Sequence, residues 1–192
     1  MEKIRIDFDS YEGWINNKQF LKIESETHKE LNSEATIYNL NLVDYIELQN
    51  KQLCPIMIGS QLNALKVLSH NYNSKTLRLK SKKSKLIDTA YLYLNAPYLW
   101  GGKTPFGIDC SGFTQMVYKL NGFKLKRDAS QQATQGEVLS FIEESEPGDL
   151  AFFDNAEGMI THVGIIMKNH YIIHAHGKVR IDRLDHTGIY NI

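Results

Sequence analysis

The chain lacks the residues that would commit it to several common architectures. It has two cysteines in 192 residues, Cys54 and Cys110, too few for a disulfide framework. Neither lies in a CxxC or Cys/His spacing of the kind that holds zinc, and no metal or organic cofactor is expected. Neither sign of charge is in excess, because Lys plus Arg and Asp plus Glu both come to 22. Nucleic-acid binding needs clustered positive charge against the phosphates, so no nucleic-acid partner is expected. The one basic cluster, KSKKSK at residues 80–85, reads as a solvated linker or helix start, with phosphate binding the lesser reading. No window is apolar enough for a membrane span. The N-terminus MEKIRIDFDS alternates apolar and charged residues, whereas a signal peptide needs a basic start and then an apolar stretch. If that start is native, a cytoplasmic protein is expected; a missing upstream segment would make the cell envelope the expectation. Oligomeric state is left open.

What is present changes character near residue 80. Before it, KIRIDF alternates with period two, DS marks a turn, YEGWI follows, and TIYNLNLVDYIEL and CPIMIGSQL are further extended candidates. Such pieces build small barrels and sandwiches, so residues 1–80 are expected to be a β-rich region. Cys54 in its apolar run reads as an inert packed thiol, and His28 and His70 as surface residues of polar loops. Beyond a boundary at residues 78–85, Leu86, Ile87, Ala90, Tyr91 and Leu94 recur at helical spacing. That pattern predicts a helix with Ser84 as N-cap, ended by Pro97. A glycine-rich loop, YLWGGKTPFGID, leads to a second helix from about Cys110 to Asn121, stopped at Gly122. KRDASQQATQG predicts a short third helix capped by Asp128. The strands LAFFD, THVGIIM, YIIHAH and KVRIDRL complete residues 81–192. Helices followed by an antiparallel sheet define an α+β domain.

Cys110 falls at the first turn of the second helix, where unpaired N–H groups and the helix dipole favour an anion. A lowered thiol pKa is expected there. Gly101, Gly102 and Gly107 just upstream would let a substrate backbone approach closely. A catalytic cysteine also needs a base, and the base an orienting group. Of seven histidines, His162, His174 and His176 lie in apolar strands, while His170 and His186 lie in a turn and a polar tail. THVGIIM and YIIHAH make an antiparallel hairpin. Pairing symmetric about Lys168 would set His162 opposite His174, whereas an even loop would put them on opposite faces. His176 is the weaker candidate on the same face. A packed cysteine and hydrogen-bonded core histidines are the bland alternatives; their conjunction favours catalysis.

The segments APYLWGGKTPFGIDCSGFTQMVY, RDASQQ, EPGDLAFF, THVGIIM and IIHAHG, in this order and at this spacing, resemble the NlpC-type cell-wall cysteine peptidases. The resemblance covers roughly residues 84–192 and implies a papain-like α+β fold. It also implies cleavage of murein (peptidoglycan) stem peptides between D-γ-glutamyl and a diamino acid. Carried over position by position, Cys110 is the nucleophile, His162 the general base and His174 its orienter. Tyr98 would bring a phenol near the thiolate. Asp109 and Ser111 would hold a substrate ammonium, and Arg127, Asp128 and Ser130 would form a pocket wall. The first half is similar to bacterial SH3-like modules: EKIRIDFDSYEGWI to the closing strands of one and CPIMIGSQL to a segment of a second. The chain begins part-way through the first, so an upstream part or another way of closing the barrel is expected. A related thiol amidase or acyltransferase, and a non-catalytic murein-binding module, stay open as alternatives.

Overall fold

Alternation at the N-terminus becomes a hairpin in the computed structural model, which describes residues 1–74, 77–78 and 83–190. The chain divides into two compact units, Met1–Lys80 and Ser81–Ile192. Of the stretch expected to hold the boundary, residues 79–82 lie outside the described residues. In the first unit β1 (Glu2–Arg5) pairs antiparallel with β2 (Glu12–Ile15). β3 (Ile37–Tyr38) pairs with β6 (Leu77–Arg78), and β4 (Val43–Glu47) with β5 (Leu53–Met57). TIYNLNLVDYIEL is thus two strands rather than one. Asn39, fully buried, accepts from the Asn41 N–H at 2.9 Å and breaks the run with an Asx turn.

The first unit is not purely β. Helix α1 (Ser25–Ser33) buries none of its residues. A helix without an apolar stripe has no 3.6-residue hydrophobic period, which is why SETHKELNS reads as a loop. His28 lies on it, exposed and 2.6 Å from Asp7 Oδ2. Cys54 is half-buried in β5.

The second unit starts with a 3-10 turn at Lys83–Lys85 and α2 (Leu86–Tyr91). Lys83 pairs with Glu146 and Asp149, each at 2.9 Å. α2 is shorter than its apolar spacing implies. Leu92, Tyr93 and Leu94 tighten to i→i−3 bonds, and then Asn95 N–H donates to Val179 O at 2.8 Å. The chain is drawn into pairing with the sheet before the helix can reach Pro97. A small hairpin, β7 (Lys103–Thr104) with β8 (Gly107–Ile108), precedes α3 (Cys110–Leu120) and α4 (Ala129–Gln132). Gly122, with φ +82°, follows α3.

Strands β9 (Leu150–Asp154), β10 (Ile160–Met167), β11 (Tyr171–His176), β12 (Lys178–Asp185) and β13 (Gly188–Tyr190) form an antiparallel meander in the order β13-β12-β11-β10-β9. α3 packs on β10 and β11. Phe113, Val117, Val163, Ile165, Ile173 and Val179 are fully buried in this core. Tyr93 meets Phe113 edge-on, with ring centroids 6.0 Å apart.

The β10–β11 register differs from the symmetric expectation. Gly164 pairs with His174 and Met167 with Tyr171, so the hairpin is centred on Asn169 instead of Lys168. Asn169 and His170 both adopt positive φ, 60° and 59°, which closes a three-residue loop. The shift is even, so His162 stays on the face of His174, one pair along instead of directly opposite.

Gly164 makes this packing possible. A Cβ there would lie 2.8 Å from His174 Cβ and 2.6 Å from Ile172 Cδ1. Gly164→Ala is therefore expected to destabilise the protein by about 1–3 kcal/mol through overpacking, read as a lower urea midpoint. An unchanged midpoint would show that β10 and β11 separate without cost.

Candidate active site

The loop-to-helix junction at Cys110 is built on a buried charge pair. Asp109 is the N-cap of α3 and accepts from the Gly112 N–H at 2.7 Å. Its other oxygen accepts from the Gly101 N–H at 2.8 Å. Arg127 closes on both oxygens, at 3.0 and 2.6 Å, and also donates to Ser111 Oγ at 2.9 Å. Asp109, Ser111 and Arg127 are 6 %, 6 % and 9 % exposed. α4 locks the same junction: Gln132 donates to the Ser111 carbonyl at 2.9 Å and accepts from Thr114 Oγ1 at 2.7 Å. Gly102 serves this compactness. A Cβ on Gly102 would lie 2.3 Å from the Gly107 carbonyl oxygen, so what approaches closely there is the chain's own backbone.

The thiol sits against β10 on both sides of His162. Cys110 Sγ is 4.0 Å from the Thr161 carbonyl oxygen and receives the Val163 N–H. Cys110, Ala129 and Val163 form one apolar cluster, with Ile160 packed on it. Residues 160 and 163 of a regular strand point to opposite faces. They share this cluster because the β9–β10 ladder slips between Ile160 and His162, where Ile160 pairs with Asp154 but His162 with Phe153. The slip is a β-bulge, a device that re-aims side chains beside functional sites.

The histidines meet on the sheet. His162 Nε2 lies 2.7 Å from His174 Nδ1, and His174 Nε2 lies 2.8 Å from Asp182 Oδ2. Arg180 donates to the other Asp182 oxygen at 2.7 Å. His174 is 3 % exposed and Asp182 fully buried. His176, on the surface, stacks over His174 with centroids 6.2 Å apart and stands 6.2 Å from His162. Asp182 is the residue that the sequence pattern gave no reason to single out. In KVRIDRLD it reads as a solvent-facing position, and only the β11–β12 register, His174 against Arg180, reveals its place.

The thiol and the two paired imidazoles rest uncharged, contrary to the lowered thiol expected at a helix start. Burial, with the Asp109 carboxylate second, pushes the Cys110 thiol up; the N–H groups of Val163, Ser111 and Cys110 pull the other way and do not prevail. Burial, then the neighbouring His174 and His176, lowers His162 to about 4. Burial also lowers His174, against the opposing pull of Asp182.

Of the residues expected to contact substrate, Asp109, Ser111 and Arg127 direct their polar atoms at one another beneath the cysteine. Asp109 in particular accepts from two backbone N–H groups and a bidentate guanidinium. Asp128, half-buried, is the N-cap of α4, its N–H donating to Gln131 Oε1 at 3.2 Å. Ser130 is exposed. Tyr98 is half-buried, its N–H donating to Gly177 O at 2.9 Å. Its phenol is raised by burial and then by charge on Cys110 and Asp109, which puts it within electrostatic reach of the thiol. Among the described residues no group of His, Cys, Asp and Glu is arranged to hold a metal ion, and no helix is long and apolar enough to cross a membrane.

A helix bearing a cysteine at its first turn, packed on an antiparallel meander bearing paired imidazoles, is an α+β arrangement of papain-like type. Residues 95–191 match the NlpC/P60 family model, half of the chain, and the protein belongs to the NlpC/P60 family. It is 30 % identical over 186 residues to the gamma-D-glutamyl-L-lysine dipeptidyl-peptidase of Bacillus subtilis, covering 89 % of this chain and 62 % of that protein. It is 39 % identical over 104 residues to the probable endopeptidase p60 of Listeria innocua, covering 54 % of this chain and 22 % of the relative. The chain thus spans less than two thirds of the length of these relatives. An NlpC/P60 family protein from Bacillus cereus superposes with a TM-score of 0.74 at 22 % identity, over 92 % of this chain and 66 % of that one, a likeness of fold.

Removing the guanidinium beneath the cysteine would leave the Asp109 carboxylate buried and unpaired. Arg127→Ala is expected to cost roughly 3–5 kcal/mol in urea unfolding; a loss under about 1 kcal/mol would mean that water replaces the pair. The histidine chain makes a separate prediction. His162 is lowered from 6.5 to about 4, so between those values the unfolded chain binds a proton that the folded one does not, and stability falls as pH drops through that window. His162→Gln should flatten that slope in denaturation measured at stepped pH, and an equally steep slope in the variant would assign it to other groups.

Proposed function

We propose that the protein is a cysteine peptidase that hydrolyses the D-γ-glutamyl–diamino-acid bond of murein stem peptides, with Cys110 as nucleophile, His162 as general base and His174 as its orienter. The observation that carries this reading is the thiol seated against β10 on either side of His162, whose ring is hydrogen-bonded to His174 at 2.7 Å. Membership of the family supports a peptidase of the cell wall. The name of the Bacillus subtilis relative supports the γ-D-glutamyl bond with lysine as the diamino acid.

Because thiol and imidazole both rest neutral, the proton moves during attack instead of beforehand. The Cys110 S–H proton passes to His162 as the sulfur bonds to the γ-glutamyl carbonyl carbon. Negative charge then develops on the carbonyl oxygen at the N-terminal end of α3, where the Cys110 N–H stabilises it. The C–N bond breaks as His162 returns the proton to the leaving amine, giving a thioester. Water attacks the thioester, His162 takes its proton, and the thiol is regenerated. Tyr98 lines the same space and orients the reacting carbonyl, and Ser130 and Asp128 lie on the pocket wall.

The test is mass spectrometry of L-Ala-γ-D-Glu-L-Lys with the amino end free or acetylated. Free lysine is the expected product; Cys110→Ala should release none while keeping the far-UV circular dichroism of the parent. Cleavage by that variant would remove the assignment. The pH profile is a further check. With His162 lowered to about 4, kcat/KM should hold down to roughly pH 5 before protonation of the base reduces it. An acid limb centred near neutral pH would contradict the neutral resting pair.

A further inference from the structure

The hydrogen bonds below His162 form a chain whose direction is fixed at its buried end. Asp182 is fully buried on β12, and its two oxygens face two donors, Arg180 at 2.7 Å and His174 Nε2 at 2.8 Å. Burial alone would raise this carboxyl, but the hydrogen bonds from His174 and Arg180 outweigh it and hold it below the ordinary range. An ionised carboxylate only accepts, so His174 must carry its proton on Nε2. A neutral His174 then has a bare Nδ1, which accepts from His162 Nε2 across 2.7 Å. His162 in turn is left with a bare Nδ1, and that lone pair is its one basic site.

We infer that Asp182 is a positioning residue: acting through His174, it fixes the tautomer of His162 so that Nδ1 is the nitrogen that takes the Cys110 proton. Reversing the chain would disable the site without moving any atom far. If His174 carried its proton on Nδ1, His162 Nε2 would have to accept, and a neutral His162 would then bear its proton on Nδ1. It could not serve as base in that form. Arg180 matters to the direction because it occupies one Asp182 oxygen and leaves the other to His174. The inference rests on the assignment of His162 as base, but its primary readout does not depend on substrate.

The test is the 15N spectrum of histidine-labelled protein near neutral pH, where protonated and bare ring nitrogens have well-separated shifts. In the parent protein, His162 is expected to show a protonated Nε2 and a bare Nδ1. In Asp182→Asn, the amide oxygen is drawn to the Arg180 guanidinium and the amide NH2 faces His174 Nε2. Both imidazoles should then exchange tautomers, and kcat should fall on the order of 100-fold or more with little change in KM. Adding Arg180→Met frees the amide oxygen to accept from His174, and the double variant should regain the parent tautomer and much of kcat. A parent spectrum with His162 protonated on Nδ1 overturns the inference whether or not the variants fold. A folded Asp182→Asn with unchanged tautomers, or with kcat within about twofold of the parent, overturns it too. If Cys110→Ala remained active while the spectra behaved as described, the peptidase assignment would fail and the tautomer relay would stand.

Discussion

The arrangement depends on the register of one hairpin. β10 and β11 are paired so that Gly164 stands opposite His174, and the missing side chain at 164 leaves room for an imidazole to lean along the strand toward His162. A register shifted by one would send the two rings to opposite faces of the sheet, and a larger residue at 164 would collide with His174. The positive-φ pair Asn169–His170 holds this register from the turn. The bulge at the start of β10 completes the geometry by turning the backbone of residues 161–163 toward the cysteine. The chemistry is thus set by backbone pairing first and by side chains second.

The helix end that carries the thiol shows two opposed effects and which one wins. A first-turn position favours an anion by up to about 2 kcal/mol in partly buried geometry. Here the cysteine is 7 % exposed and has a carboxylate as its immediate neighbour, and the desolvation cost of a buried charge exceeds a helix-dipole contribution of that size. Arg127 neutralises Asp109, but only by taking up its oxygens. The same contacts that fix the cysteine's position keep its proton on.

Much of this organisation was legible in the residues because it is local. The helix start at Cys110, the stop at Gly122, the short helix after Asp128 and the four long strands of the second unit all follow from periodicity and capping chemistry. What was not legible depends on tertiary pairing or on the absence of a pattern. α1 carries a single apolar side chain, Leu31, so it leaves no period to read. α2 ends early because β12 captures residues 95–98, which its own sequence does not announce. The exact hairpin centre depends on two left-handed residues, and the importance of Asp182 depends on a strand neighbour eight residues away. That Asp109, Ser111 and Arg127 bind one another depends on the fold bringing residue 127 onto the start of α3.

A resting sulfur that keeps its proton and is nearly enclosed has a consequence for durability. Peroxide and disulfide exchange both act on exposed thiolate, so a cysteine of this kind moves slowly up the ladder from sulfenic to sulfonic acid. A sulfur held this way withstands oxidants without a second cysteine beside it.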